Sequence, residues 1–205
     1  RTSRLFGEEM RVIAGLAKGR NLLSPASGTR PTSDRAREGL FSSLDSEFGS
    51  LNDLYFLDLF CGSGGIAAEA LSRGAAVVHA VDNSEKATVI ARKNLEMMAE
   101  IPGIGSGSVF TMSAGKYLDS DQNRALSGIQ FDIVYMDPPY ELSNNEVEKL
   151  LNDLIEKKVI KVSSIVAIER DAKGRAPQWP RGLRLKKERK YGAAIIYYAE
   201  PVTSN

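Results

Sequence analysis

The segment Leu57-Asp58-Leu59-Phe60-Cys61-Gly62-Ser63-Gly64-Gly65-Ile66-Ala67 passes from an apolar run through small residues into a helical pattern. Glycines at such a junction let backbone approach a ligand closely, and the start of a helix offers unpaired N–H groups. Together they mark a site for a nucleotide or nucleoside. Read literally, Gly62, Gly64 and Ala67 also satisfy the G-x-G-x-x-G/A pattern of dinucleotide binding, so a nicotinamide enzyme stays open on the glycines alone. Two carboxylates narrow the ligand. Asp58 stands just before the loop, where an anion repels a pyrophosphate but pairs with a cationic amino group. Asp82, 24 residues on, ends the next apolar run, where a carboxylate accepts from ribose hydroxyls. A ligand with a ribose and a positive end, such as S-adenosylmethionine, fits this pair; the plainer reading is that both acids cap helices.

A second segment carries chemistry of its own. Asp137-Pro138-Pro139-Tyr140 follows the apolar run Ile133–Met136 directly. Consecutive prolines fix backbone angles and remove two N–H donors, which leaves a stiff loop rich in acceptors. The Asp137 carboxylate and the Pro138 carbonyl can both receive N–H bonds from an exocyclic amine, and the Tyr140 ring offers a face on which a flat base stacks. A simple turn after a strand is the alternative.

Composition limits the partners. With 205 residues, 42% hydrophobic and 26% charged, the chain suits one substantial core. No window approaches the roughly 18 uninterrupted apolar residues of a bilayer span. A single cysteine, Cys61, permits no internal disulfide and, with a single histidine, His79, makes no zinc set; a reducing compartment and no metal are expected. The net charge of +1 conceals a separation. Residues 1–40 hold eight Lys/Arg against four acids, residues 170–190 hold nine against two, and residues 41–169 hold ten against nineteen. Basic ends around an acidic middle suit a polyanion such as nucleic acid, although a charge run alone reads more simply as a solvated surface.

Hydrophobic periodicity supplies the frame for these residues. Met10–Leu23 reads as two short strands around a turn at Gly15–Gly19, and Thr32 or Ser33 caps a helix over 33–48 in which Ala36, Leu40, Phe41 and Leu44 recur at helical spacing. Strands follow at Leu54–Phe60, Ala75–Val81, Ser108–Met112, Phe131–Met136 and Ser163–Ile168, with helices ending near Gly74, over 84–99 and over Asn144–Lys157. Leu183–Lys190 and Ala193–Ala199 form a closing antiparallel pair around Gly192, and 101–107 and 119–130 are loops. Strands alternating with helices predict an α/β fold: a mostly parallel sheet with helices on both faces and its ligand beyond the carboxyl ends of the strands.

Asp58–Gly64, Asp82 and Asp137–Tyr140 resemble the motifs of class I S-adenosylmethionine-dependent methyltransferases acting on amino groups. The stretches Arg11-Val12-Ile13-Ala14-Gly15, Gly19-Arg20 and Arg30-Pro31-Thr32-Ser33-Asp34-Arg35-Ala36-Arg37-Glu38 narrow this, being similar to the RsmD family of 16S rRNA guanine-N2 methyltransferases; the similarity runs from Met10 to about Tyr198. The resemblance implies a Rossmann-like, seven-stranded sheet with an N-terminal β-hairpin extension. Residues 1–32 would form the extension and RNA-binding hairpin, and 33–205 the methyltransferase domain. It implies S-adenosylmethionine as cofactor, held by Asp58, Phe60, Gly62, Gly64, Asp82, Asn83, Ser113, Ala114 and Asp137. Ser113-Ala114 departs from the acidic or amide residue usual at that place.

Catalysis falls on this resemblance to Asp137, Pro138 and Tyr140. Substrate grip falls to Arg11, Lys18, Arg20, Arg30, Thr32, Arg35, Arg37 and Tyr140, with Lys186, Lys187, Arg189 and Lys190 as a second basic set. Arg35 and Arg37, two apart on a helix, cannot both face one way, and Thr32 and Asp34 serve equally well as caps. The expected partner is small-subunit rRNA, free or in an assembled or partly assembled subunit, bound by a monomer without metal or membrane attachment. The chain opens on Arg1, and the nine residues before Met10 fall outside the family's usual start. A bacterial cytoplasm, or a chloroplast or other organelle stroma after removal of a targeting segment, is the expected location. The competing readings are an adenine-N6 methyltransferase on RNA or DNA and, in another class, a non-catalytic RNA-binding protein. His79 and Cys61 read as packed residues, Trp179 as loop packing or a stacking surface, and Tyr197 and Tyr198 as part of the last strand.

Overall fold

A computed structural model describes residues 10–24, 33–120 and 129–202. Arg30 and Thr32, expected at the substrate, lie outside the described residues, as do residues 1–9. The elements in chain order are β1 (Met10–Arg11), β2 (Asn21–Leu22), α1 (Asp34–Phe48), β3 (Tyr55–Asp58), α2 (Gly65–Ser72), β4 (Val77–Asp82) and α3 (Glu85–Ala99). Then follow β5 (Ser106–Thr111), α4 (Ala114–Asp119), β6 (Phe131–Met136), α5 (Asn144–Glu156), β7 (Ile160–Asp171), β8 (Leu183–Tyr191) and β9 (Ala194–Pro201). Seven strands form one sheet in the order β5-β4-β3-β6-β7-β9-β8. Pairing is parallel from β5 through β7, and β9 is antiparallel to both β7 and β8. β1 and β2 pair separately, Met10 with Leu22 and Arg11 with Asn21.

Successive strand residues point to opposite faces, and the core divides accordingly. Phe56, Ile133, Tyr135, Ile165, Ala167 and Tyr198 share one cluster with side chains of α1, α2 and α3, while Leu57, Val134, Met136, Val166 and Ile168 share another with those of α4 and α5. Each large apolar side chain buried this way contributes ~1.5–3 kcal/mol, so a one-residue slip of a central strand would exchange both faces at once. Serines start four of the helices. Ser33, Ser84, Ser113 and Ser143 accept from the N–H of Ala36, Ala87, Lys116 and Glu146, and Glu146 returns the contact to Ser143. α2 instead begins at Gly64, whose φ of 81° is left-handed.

Two elements depart from expectation. β7 runs well beyond Ser163–Ile168 because Ser164 Oγ accepts from the Lys161 N–H at 2.8 Å and donates to the Phe131 carbonyl at 2.7 Å, carrying the pairing through a register shift between Phe131 and Ile133. α4 occupies a stretch with no helical pattern, its six residues being too few to show a period.

The hairpin lies along α2 and is fixed by buried polar groups. Glu69, 0% exposed, accepts from the N–H of Ile13 at 2.7 Å and Ala14 at 3.0 Å and from Arg73 Nε at 2.8 Å. Ser72 Oγ accepts from the Ala17 N–H at 2.9 Å, and the Ser72 carbonyl accepts from Leu16 at 2.8 Å. Gly15, with φ 84°, approaches that carbonyl so closely that a Cβ would collide with it. At the other end Asn94 of α3, also 0% exposed, accepts from the Leu23 N–H at 2.8 Å and donates to the carbonyls of Leu23 at 3.0 Å and Ser63 at 2.8 Å. Glu69→Ala would leave two N–H groups and Arg73 without their acceptor, and since each unsatisfied buried group costs ~1–3 kcal/mol, urea unfolding should report a loss of about 3 kcal/mol, with Glu69→Gln recovering part of it.

Candidate active site

The strand order reverses between β3 and β6, with β4 and β5 to one side and β7 to the other. Ligands of such sheets sit beyond the carboxyl ends of the strands at that point, and a cleft of about 830 Å³ opens there. The glycine loop lines it through Leu59, Phe60 and Gly62, the end of β4 through Asp82 and Asn83, and the start of α4 through Ser113, Ala114 and Gly115. Asp137, Pro138, Pro139 and Tyr140 line the same cleft from the loop after β6.

The glycine loop is bound to both neighbouring strands. Leu59 donates to the Tyr135 carbonyl at 3.0 Å and Cys61 to the Val81 carbonyl at 2.9 Å. The Asp82 carboxylate accepts from Gly62 N–H and from Ser84 N–H, each at 2.9 Å. Gly62, with φ 52°, has open space where a Cβ would stand and so presents bare backbone to the cleft. Gly64 does something else. A Cβ there would lie 3.1 Å from that of Ala91, so this glycine serves the packing of α2 on α3 and does not line the cleft.

Four carboxylates collect at this end of the sheet: Asp58, Asp82, Asp137 and Glu169. Asp58 does not line the cleft; it is 1% exposed at the end of β3, and among the described residues no side chain hydrogen-bonds to its carboxylate. Burial pushes its carboxyl well above the usual range; the Phe60 backbone offsets part of this, and the charges of Asp137 and Asp82 add to it. Glu169, shortly before β7 ends at Asp171, lines the cleft and accepts from the Tyr135 hydroxyl at 2.7 Å. Burial, with the charges of Asp137 and Glu169, holds that hydroxyl well above the usual range, so it stays protonated and donates.

S-adenosylmethionine fits this arrangement. Its positive end suits a buried carboxylate that no side chain pairs, and Asp82 has acceptor positions beyond its two N–H contacts for ribose hydroxyls. Because the folded-state pKa of Asp58 lies above its unfolded value of ~3.9, the stability this group confers is fully present below that value and lost as pH rises through the folded one. Asp58→Asn should therefore raise the ligand-free Tm at neutral pH and flatten this part of the pH profile. It should also weaken S-adenosylmethionine binding roughly tenfold or more, the worth of one hydrogen bond to a charged group, as calorimetry would show.

The expected substrate residues are spread along the hairpin and α1. Arg11 and Arg35 are exposed, and Ser33, at the start of α1, lines the cleft. Arg37 is corrected: it is 2% exposed, and its Nη2 donates to the Arg11 carbonyl at 2.6 Å and to Asp34 at 2.9 Å, fastening hairpin to helix where contact with RNA was expected. Lys18 is exposed on the turn beside Ser72, at the far end of α2 from the glycine loop, and Arg20 pairs with Glu100 at 3.0 Å. Lys186 and Lys187 pair with Glu47 at 2.7 and 2.9 Å, and Glu200 takes Arg184 and Lys186, so much of the second basic set is neutralised within the protein. Arg189 and Lys190 are exposed.

Other singled-out residues have partners within the protein. Ser113 Oγ caps α4 through the Lys116 N–H at 3.3 Å. His79 Nδ1 lies 2.6 Å from the Tyr117 hydroxyl among Phe110 and Phe131, and burial pulls its pKa down to about 4. Cys61 is buried, its thiol pushed up by burial, and Trp179 packs edge-on against Tyr197. Glu169 and Tyr191 are among the cleft residues that escaped the sequence reading. Glu169 follows the apolar run Ile165–Ile168 much as Asp137 follows Phe131–Met136, a signal that was there to use. Tyr191 had none: it packs on α1 only because Gly39 lacks a Cβ, which would collide with its ring.

A family model described as conserved hypothetical protein 95 matches residues 10–200. Ribosomal RNA small subunit methyltransferase D of Haemophilus influenzae is 31% identical over 93% of this chain and 92% of its own length. The protein of the same name from Escherichia coli K12 is 30% identical over 90% and 86%. The solved structure of yhhF from Escherichia coli superposes with a TM-score of 0.78 and 26% identity, covering 95% of this chain and 99% of that one. With matches of this extent and a sheet whose glycine loop and Asp-Pro-Pro-Tyr loop share one cleft, the chain belongs to the RsmD family of class I S-adenosylmethionine-dependent methyltransferases.

Proposed function

We propose that the protein transfers a methyl group to the exocyclic N2 amine of a guanine in small-subunit rRNA. The observation that carries this reading is that Asp137, Pro138 and Tyr140 line the same cleft as Gly62 and Asp82. The printed names of the Haemophilus influenzae and Escherichia coli relatives support the choice of RNA. Tyr140 is 64% exposed while lining the cleft, a large ring left open to solvent as a face for an unstacked base.

The loop that presents this ring is braced. Leu142 N–H donates to the Pro139 carbonyl at 3.0 Å, Arg170 Nη2 donates to the Leu142 carbonyl at 3.1 Å, and Ser143 and Glu146 cap α5 immediately after. With the Pro139 carbonyl engaged, the Pro138 carbonyl and the Asp137 carboxylate are the acceptors for the two amine protons. Holding both protons draws the nitrogen lone pair out of conjugation and aims it, which is where alignment lowers the barrier. When bound, S-adenosylmethionine supplies an electrophilic methyl on a sulfonium sulfur, whose S–C bond breaks as the N–C bond forms. The methylated nitrogen is then strongly acidic, and Asp137 or water takes its proton.

Asp137→Ala should reduce transfer by at least ~10²-fold, the low end of general acid–base contributions, while S-adenosylmethionine binding stays within a few-fold; labelled methyl transfer to naked small-subunit rRNA and to assembled subunits, followed by nucleoside identification, measures this. RNA affinity should fall steeply with salt, and Arg35→Ala should lower the slope of log K against log salt by about 0.7–0.9, the share of one phosphate contact. An unchanged slope would remove Arg35 from the binding surface.

A further inference from the structure

The transfer step leaves purine identity unread. Guanine and adenine each carry an exocyclic amine that Asp137 and the Pro138 carbonyl can hold. The ring nitrogen N1 beside that amine differs: in guanine it carries a hydrogen and donates, whereas in adenine it is a lone pair and accepts. A group that tells them apart at this position must accept a hydrogen bond, must be held still, and must stand next to Asp137.

Glu169 meets these requirements. β6 and β7 pair in parallel with Met136 opposite Ile168; β6 ends there while β7 runs on, so Asp137 and Glu169 follow that pair side by side, and both line the cleft. The Glu169 carboxylate is held by the Tyr135 hydroxyl at 2.7 Å, and Tyr135 is buried in the core, so the donor that orients the carboxylate cannot swing away. That hydroxyl keeps its proton, its burial and the neighbouring carboxylates opposing ionisation, and an oxygen that receives a hydrogen bond from it is an acceptor. Arg170, the next residue, reaches in the other direction, to the Leu142 carbonyl and to Asn144, and braces the loop that carries Tyr140.

We infer, resting on the methyl-transfer reading above, that Glu169 determines specificity: its carboxylate accepts the N1–H of the target guanine beside the amine held by Asp137, and it opposes the N1 lone pair of adenine. Tyr135 acts as a positioning residue for it.

The test uses 2-aminopurine, which keeps the N2 amine but presents N1 as an acceptor. Small-subunit rRNA is rebuilt by ligation around a synthetic segment carrying guanine, 2-aminopurine or adenine at the methylated position, and single-turnover transfer is measured with the full-length protein. The wild type should favour guanine over 2-aminopurine by roughly 100-fold or more, as expected where a polar site meets an analogue lacking its partner. Glu169→Gln, whose amide can donate to N1, should shrink that ratio to below about tenfold, with S-adenosylmethionine binding within threefold as the check on folding. Tyr135→Phe should shrink it less, and it carries the test if Glu169→Gln does not fold. Equal wild-type rates on guanine and 2-aminopurine, or a ratio unchanged in both variants, would overturn the inference alone. Wild-type transfer to adenine and not to guanine would overturn the guanine-N2 reading and the inference with it.

Discussion

Like charges crowded at one edge of a sheet repel, and the rest of the structure is arranged around that repulsion. Asp58, Asp82, Asp137 and Glu169 stand at or near the carboxyl ends of four neighbouring strands, β3, β4, β6 and β7. Asp82 is quieted by two backbone N–H groups and Glu169 by a phenol, but Asp58 is buried with no side-chain partner among the described residues. A ligand-free protein thus holds a local electrostatic cost that a cation relieves, the kind of rule-breaking found where function is concentrated. The same negative edge suits the second half of the reaction, in which a nitrogen that has become cationic must lose a proton.

The walls of this cleft depend on groups far from it. Glu69 and Ser72 seat the hairpin along α2, while Asn94 joins Leu23 to Ser63 in the glycine loop through one side chain. Arg37 closes the circuit from the hairpin to α1, whose capping residue Ser33 borders the cleft. The segment rich in exposed basic residues and the loop facing the methyl donor are therefore parts of one hydrogen-bonded frame. Displacement of one is opposed by buried polar contacts to the other, which cost free energy to break.

Much of this frame is legible in the amino-acid sequence, and the parts that are not share a cause. The succession of strands and helices and the two cleft loops follow from short apolar runs, each ended by a glycine, an aspartate or a proline pair, because periodicity and turn chemistry are local properties. Arg37 reads as a contact for RNA and Glu69 draws no assignment, because the partners that matter lie far along the chain: Glu69 meets Ile13 across 56 positions and Arg37 meets the Arg11 carbonyl across 26. Lys186 and Lys187 mislead in the same way, their basic run being answered by Glu47 and Glu200 from distant segments. Gly64 satisfies a nucleotide-binding pattern while its necessity comes from Ala91 on the next helix. A pattern records which residue type is required and is silent about which neighbour requires it.

The outermost strand, β8, gains a different meaning from its position. It stands at the end of the sheet with no strand on its outer side among the described residues, and its run Arg184-Leu185-Lys186-Lys187-Glu188-Arg189-Lys190 places a charge at nearly every step. An open β edge is a template on which another chain can add a strand, and lysines are a common guard against this, since an incoming strand would have to strip their hydration. The positive stretch that resembles a nucleic-acid grip when read as a string thus also acts, in three dimensions, as the border at which sheet growth stops.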